Sequence, residues 1–197
     1  MIKVGILGTG WGTHIQAPAF RKAGLEIVGL WGRTEEKARR IAAELAIPFS
    51  TADYEALISR PDVDLISVVT PPHMHAELAA AALAAGKHVL CEKPTALNAE
   101  QARQMLLASE AHPGQIALID HELRFLPTRQ KMRALIQQGH VGEIYYVEGT
   151  NWSGGLLSPG RRWNWWSEAE KGGGVLGNFG SHVIDALTWL LDRKSVV

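Results

Sequence analysis

Short apolar runs separated by helix-patterned stretches recur through residues 1–120, and this alternation restricts the fold more than any other feature of the chain. The runs cover residues 2–7, 26–31, 48–50, 64–69, 88–91 and 115–120. From Leu65 to Val69 the only polar residue is Ser67, a pattern that suits a parallel strand covered on both faces. Between the runs the sequence predicts helices. One runs toward Lys22 and is kinked or restarted by Pro18; another spans 34–45, with Thr34 as N-cap and Glu35 and Glu36 in its first turn. Others span 53–59, 77–85 (ended by Gly86), and the stretch from an Asn98 cap to Ala111. Repeated strand–helix–strand units predict an α/β fold, a Rossmann doubly wound parallel sheet over residues 1–120.

The texture changes after Asp120. A helix is predicted over 128–138, stopped by Gly139, and residues 144–152 alternate like a strand with one solvated face. Residues 153–174 are loop-rich, and four of the seven tryptophans lie within or beside them; a last helix is predicted over 181–191. Residues 121–197 thus read as a partial substrate domain, an incomplete α+β unit of antiparallel-sheet type. A lone strand has no neighbour to bury its apolar face, so the chain is expected to be a truncated form that binds cofactor but turns over poorly.

Composition narrows the partners. Twenty Lys plus Arg balance 20 Asp plus Glu, so no overall field favours nucleic acid or an anionic membrane. Cys91 is the single cysteine, which rules out an intramolecular disulfide, leaves no thiol cluster for zinc and makes a reducing cytoplasm the default. No basic leader follows Met1, and no apolar run approaches the roughly 20 residues of a membrane span. A small-molecule partner is expected.

Gly8-Thr9-Gly10-Trp11-Gly12 follows the first strand and opens the first helix, the setting in which a glycine turn cradles a pyrophosphate. The third glycine of the dinucleotide fingerprint is replaced by Thr13, with Gly12 one place early; a tight turn without ligand is the plainer alternative. Counting about 20 residues on from Gly12 reaches Gly32, followed by Arg33 and Thr34. No carboxylate stands there to accept from a ribose 2′-hydroxyl, and a guanidinium beside a hydroxyl suits a 2′-phosphate, so NADP is favoured over NAD. The alternative is a surface arginine beside a helix cap.

Thr70-Pro71-Pro72-His73-Met74-His75 ends the fourth strand and Glu92-Lys93-Pro94 the fifth, both at the carboxyl edge where doubly wound folds bind ligands. His73 and His75 lack a carboxylate or thiol partner, so no metal is expected. Lys93 is placed to exchange a proton with a substrate hydroxyl, or else simply to pair with Glu92.

In order and spacing these segments resemble the Gfo/Idh/MocA family (glucose–fructose oxidoreductase and inositol dehydrogenase). So do Gly86-Lys87-His88-Val89, Arg124-Phe125-Leu126-Pro127, Gly142-Glu143-Ile144 and Gly172-Gly173-Gly174 followed by Gly180-Ser181-His182. The resemblance implies an NAD(P)-dependent oxidoreductase that moves a hydride between nicotinamide and a secondary alcohol or ketone of a sugar, polyol or related compound. It implies Lys93 and His182 as catalytic groups. The expected cofactor contacts are Gly8, Gly10, Trp11, Gly12, Arg33, Thr34, Thr70, Pro71, His75, Glu92 and Lys93. Asn178, Arg124 and Trp165 are expected at the substrate, although the tryptophans suit a core or lid equally well.

Two positions depart from the family pattern. Asn178 stands where many members carry Asp, and an amide takes no proton at neutral pH. Gln16 stands where many carry His, with consequences expected only behind the site. Asn178 favours the rival reading, a cofactor-binding regulator or sensor without turnover. Homo-oligomers are expected only if the C-terminal sheet is complete.

Overall fold

The computed structural model describes residues 1–152, 154, 160 and 163–191, in two compact units, Met1–Asp120 and His121–Val197.

In the first unit the strands are β1 (Lys3–Leu7), β2 (Glu26–Trp31), β3 (Phe49–Thr51), β4 (Leu65–Val68), β5 (His88–Glu92) and β6 (Ala117–Asp120). All pair in parallel in the order β3-β2-β1-β4-β5-β6, a doubly wound Rossmann sheet. The order reverses between β1 and β4, which opens the crevice where such sheets bind ligands. The crossovers are α1 (Ala17–Lys22), α2 (Glu35–Glu44), α3 (Tyr54–Ile58), α4 (His75–Ala84) and α5 (Ala99–Ala111).

Each sheet face buries its own apolar cluster. Val4, Ile6, Ile27 and Leu30 pack with Ala17, Ile41 and Ala42 of α1 and α2. Leu7, Val28, Ile66 and Val68 pack with Leu57, Leu78, Ala82 and Met105 of α3, α4 and α5. Ile27 and Leu30 share a face although three residues apart, because the β1–β2 register shifts between Val4 and Gly5. The extra residue in β2 resets the two-residue alternation.

Local signals act largely as the sequence predicts. Asp53 accepts from the amides of Glu55 and Ala56, and Asn98 from that of Gln101. Gly86 takes φ +75° after α4, so that Lys87 N–H reaches the Ala82 carbonyl. Thr34 sits at the N-cap of α2 in extended backbone but makes no side-chain capping bond. Of the two outcomes expected at Pro18, a kink or a restart, the structure shows the restart: a π-helical turn, Gly12–Gln16, precedes α1, with Pro18 in the first turn of α1 where its missing N–H costs nothing.

In the second unit, α6 (Pro127–Gln137) ends at Gly139, whose φ is +77°, and α7 (Ser181–Leu191) packs on α6. Residues 144–152 form no strand, contrary to their alternation. A strand exists only where a neighbour completes its backbone hydrogen bonds, and no described residue of this unit does so. No helix among the described residues is long and apolar enough to cross a membrane.

Candidate functional site

The glycine turn at the end of β1 uses each glycine differently. Gly8 has φ +145°, and a Cβ there would lie 2.3 Å from the Val69 carbonyl oxygen, so the turn closes against the end of β4 only without a side chain. A Cβ on Gly12 would lie 2.8 Å from Ile6 Cγ2. Gly12 therefore permits the close helix–strand approach that the fingerprint assigns one position later. A Cβ on Gly10 would meet nothing within 4 Å, so open space lies over that backbone. Thr13 Oγ1 donates to the Gly10 carbonyl at 3.0 Å, and the amides of Thr13 and His14 donate to the same oxygen. Trp11 is exposed beside the turn, and Arg33 and Thr34 are exposed just beyond the end of β2.

At the ends of β4, β5 and β6 a buried network surrounds the backbone of Lys93. Gln16, 5% exposed, accepts from Ser67 Oγ at 2.5 Å through Oε1. Its Nε2 donates to Glu92 Oε1 at 3.0 Å and to Asp120 Oδ2 at 3.1 Å. Glu92 Oε2 in turn accepts from the Lys93 amide at 3.1 Å. On the other side, the fully buried His75 ring lies between two carbonyl oxygens, Nδ1 2.9 Å from Pro94 and Nε2 2.9 Å from Thr70. Burial lowers the pKa of that ring, partly opposed by the carbonyls around it. Thr70 Oγ1 is buried with no hydrogen-bond partner among the described residues. Burial pushes the Cys91 thiol well above its ordinary range, which makes it an inert core residue.

In the second unit the polar centre is Asp185, 8% exposed on α7. Both its oxygens accept from Arg124 Nε at 3.0 Å, and Oδ1 also accepts from Arg124 Nη2. His121 Nδ1 lies 3.6 Å from Asp185 Oδ1, and burial lowers the pKa of that ring. His182 Nε2 lies 4.0 Å from Glu122 Oε1. Asn178 is 4% exposed, and its Nδ2 donates to the Gly174 carbonyl at 2.8 Å. A Cβ on Gly173 would lie 2.4 Å from the Trp165 carbonyl oxygen, so the glycine triplet is pressed against the Trp165–Ser167 turn. The Trp165 and Trp166 rings lie 5.4 Å apart, tilted by 52° to each other, and Trp166 meets Phe179 edge-on.

The structure thus gathers Gly8, Gly10, Trp11, Gly12, Arg33, Thr34, Thr70, Pro71, Glu92 and Lys93 along the carboxyl edge of one sheet. It places Arg124, Asn178 and His182 around α7 of the other unit. His75 does not face that edge as a ligand group: both ring nitrogens are engaged with backbone and the side chain is fully buried. Arg124 is committed to Asp185 through its guanidinium. Sequence reasoning missed the Gln16 junction, Asp120 and Asp185. Ser67, the one hydroxyl in an apolar strand, was the available signal, because a buried hydroxyl needs a partner.

Comparison with known proteins places this geometry. Residues 2–119 match the model of the oxidoreductase family with an NAD-binding Rossmann fold, and residues 129–197 match the GFO/IDH/MocA C-terminal domain. The glucose-fructose oxidoreductase domain-containing protein 1 of Xenopus tropicalis is 37% identical over 193 residues, covering 98% of this chain and 48% of that protein. The human domain-containing protein 2 is 35% identical, covering 98% of this chain and 49% of that protein. The chain therefore spans about half the length of the curated relatives it matches. Among solved structures, an oxidoreductase domain protein from Kribbella flavida superposes with TM-score 0.85 at 29% identity, covering 97% of this chain and 52% of that one. Levoglucosan dehydrogenase in complex with NADH and L-sorbose superposes with TM-score 0.82 at 27% identity, covering 96% and 53%.

Proposed function

From the premise that the chain belongs to the Gfo/Idh/MocA family of NAD-binding oxidoreductases, we propose that it binds NADP(H) in preference to NAD(H) and serves oxidation of a secondary alcohol, or reduction of its ketone, on a sugar or polyol. The observation that carries the cofactor reading is the open space over Gly10, bounded by Gly8 and Gly12, where packing tolerates no side chain. Such a cradle fits a pyrophosphate. The buried, unpartnered Thr70 hydroxyl lies at the end of β4, beside the switch point, and offers a further polar contact.

Gly8, Gly10 and Gly12 would hold the diphosphate, and Arg33 and Thr34 the 2′-phosphate. The Thr34 hydroxyl is not spent on a capping bond. When bound, the nicotinamide supplies the hydride acceptor or donor. Lys93, its amide held by Glu92, would exchange a proton with the substrate hydroxyl, and His182 is the second proposed proton-transfer group. The sugar or polyol class rests on family membership and on relatives such as levoglucosan dehydrogenase, crystallised with NADH and L-sorbose. Following nicotinamide absorbance across a panel of polyols and ketoses, in a form that spans the length of the relatives, tests it; binding of NADPH by that form without turnover on any of them would overturn the enzymatic reading.

A cofactor-binding sensor is the second reading, and one observation favours it. Asn178 is buried, its amide is tied to the Gly174 carbonyl, and it carries no exchangeable acid proton at neutral pH.

A further inference from the structure

Cofactor choice in this fold is set at the end of β2, where an acidic side chain reads the ribose 2′-hydroxyl of NAD. Position 32 holds glycine, and its surroundings explain why. A Cβ built on Gly32 would lie 2.7 Å from Thr9 Cγ2 and 3.3 Å from Ala38 Cβ. The first distance is well inside van der Waals contact. The methyl belongs to a half-buried β-branched side chain with little rotameric freedom, and Ala38 on α2 is fully buried. Gly32 is itself fixed, because its amide donates to the Thr51 carbonyl at 3.1 Å. The backbone therefore cannot drift away from Thr9 without losing the bond to the end of β3.

We propose that Thr9 is a specificity-determining residue. From inside the glycine turn its methyl closes position 32 to any side chain and leaves the ribose 2′ side to Arg33 and Thr34. This deepens the cofactor reading proposed above and rests on it. Thr9 lies between Gly8 and Gly10, so one residue of the phosphate turn and one residue at the ribose site constrain each other across the β1–β2 pair. A switch from NADP to NAD at this site then needs two substitutions: Gly32→Asp supplies the carboxylate, and Thr9→Ala makes room for it. Thr9 is not among the non-glycine residues with positive φ, so alanine fits there without backbone strain.

The test is a double-mutant cycle on the full chain, read by calorimetric titration of NADH and NADPH and by thermal unfolding. Gly32→Asp alone is expected to weaken NADPH without gaining NADH. Adding Thr9→Ala is expected to recover NADH binding and shift the NADH-to-NADPH preference by about tenfold or more, the effect of one charge-assisted hydrogen bond. A second cycle, with Gly32→Ala in place of Gly32→Asp, reads the contact without cofactor. The alanine is expected to lower the melting temperature in the native chain and to be tolerated beside Thr9→Ala. Additive effects in this second cycle, or a full preference switch from Gly32→Asp alone, would overturn the role of Thr9. Failure of the unsubstituted chain to bind either cofactor would instead remove the cofactor reading and leave the steric cycle to decide the contact.

Discussion

His75 Nδ1 lies 2.9 Å from the carbonyl oxygen of Pro94, so a buried ring on the first turn of α4 fixes the loop that carries Lys93. His75→Ala removes that tie and opens a cavity. The expected loss is about 2–4 kcal/mol in the first unit, measured by urea unfolding. The pH dependence has a defined sign. Burial lowers the folded ring's pKa below its ordinary 6.5, so the unfolded chain takes up a proton that the native chain refuses. Stability is complete above about pH 6.5 and is lost as the pH falls below it toward the folded value. His121 is shifted in the same direction in the second unit. A slope of the opposite sign in the first unit, persisting in His75→Gln, would show that another group controls it.

Arg33→Ala is expected to weaken NADPH by about tenfold while leaving NADH nearly unchanged, because in the proposed reading the guanidinium would meet only the 2′-phosphate. Fluorescence titration of both reduced cofactors measures this. Equal losses for the two would place Arg33 at the diphosphate or in the fold instead.

In a catalytically complete form spanning the length of the relatives, Lys93→Ala is expected to lower turnover by about 10²–10⁴ while affecting cofactor affinity less, and His182→Ala to behave similarly. Steady-state rates against separately measured cofactor dissociation constants distinguish the cases. Collapse of cofactor binding with turnover intact at saturation would make Lys93 a nicotinamide-positioning group.

Asp185 is 8% exposed and faces a half-exposed Arg124. Asp185→Asn keeps the shape but drops the charge, and is expected to cost the second unit about 2 kcal/mol. Arg124→Ala strands a buried carboxylate and should cost at least as much. Hydrogen exchange along α7 reports both. Unchanged protection in Arg124→Ala would free that arginine for the substrate role expected from sequence.

Ala46 ends α2 with φ +51°, a left-handed conformation that costs an L-residue about 1–2 kcal/mol. Ile47 N–H reaches the Ala42 carbonyl across it, as in the glycine-terminated helices. Ala46→Gly relieves that strain, less the entropy glycine loses on folding, and is expected to stabilise the first unit by about 0.5 kcal/mol. A lower melting temperature would contradict this.

The sheet was legible because parallel strands covered on both faces leave long apolar runs, and because Asn98 and Gly86 mark helix ends by their chemistry. Residues 144–152 misled because alternation reports a preference for one wet face, whereas a strand needs a neighbour for its hydrogen bonds. Within the site, the glycines could be read because each answers to local backbone geometry. His75 was placed at the cofactor by its motif, yet a ring nitrogen goes where tertiary packing presents a carbonyl. Gln16 and Asp120 lie 104 residues apart and meet only once β6 has been added to the sheet.

That meeting has a consequence for how the sequence is free to vary. One side-chain amide at Gln16 serves Ser67, Glu92 and Asp120, and it donates both of its hydrogens to carboxylates. An acid at position 16 would set a third carboxylate against two others, and an aliphatic residue would strand the Ser67 hydroxyl. Positions 16, 67, 92 and 120 therefore form one coupled unit. A change at any of them alters the cost of a change at another, so substitutions at these four scattered positions are expected to be non-additive.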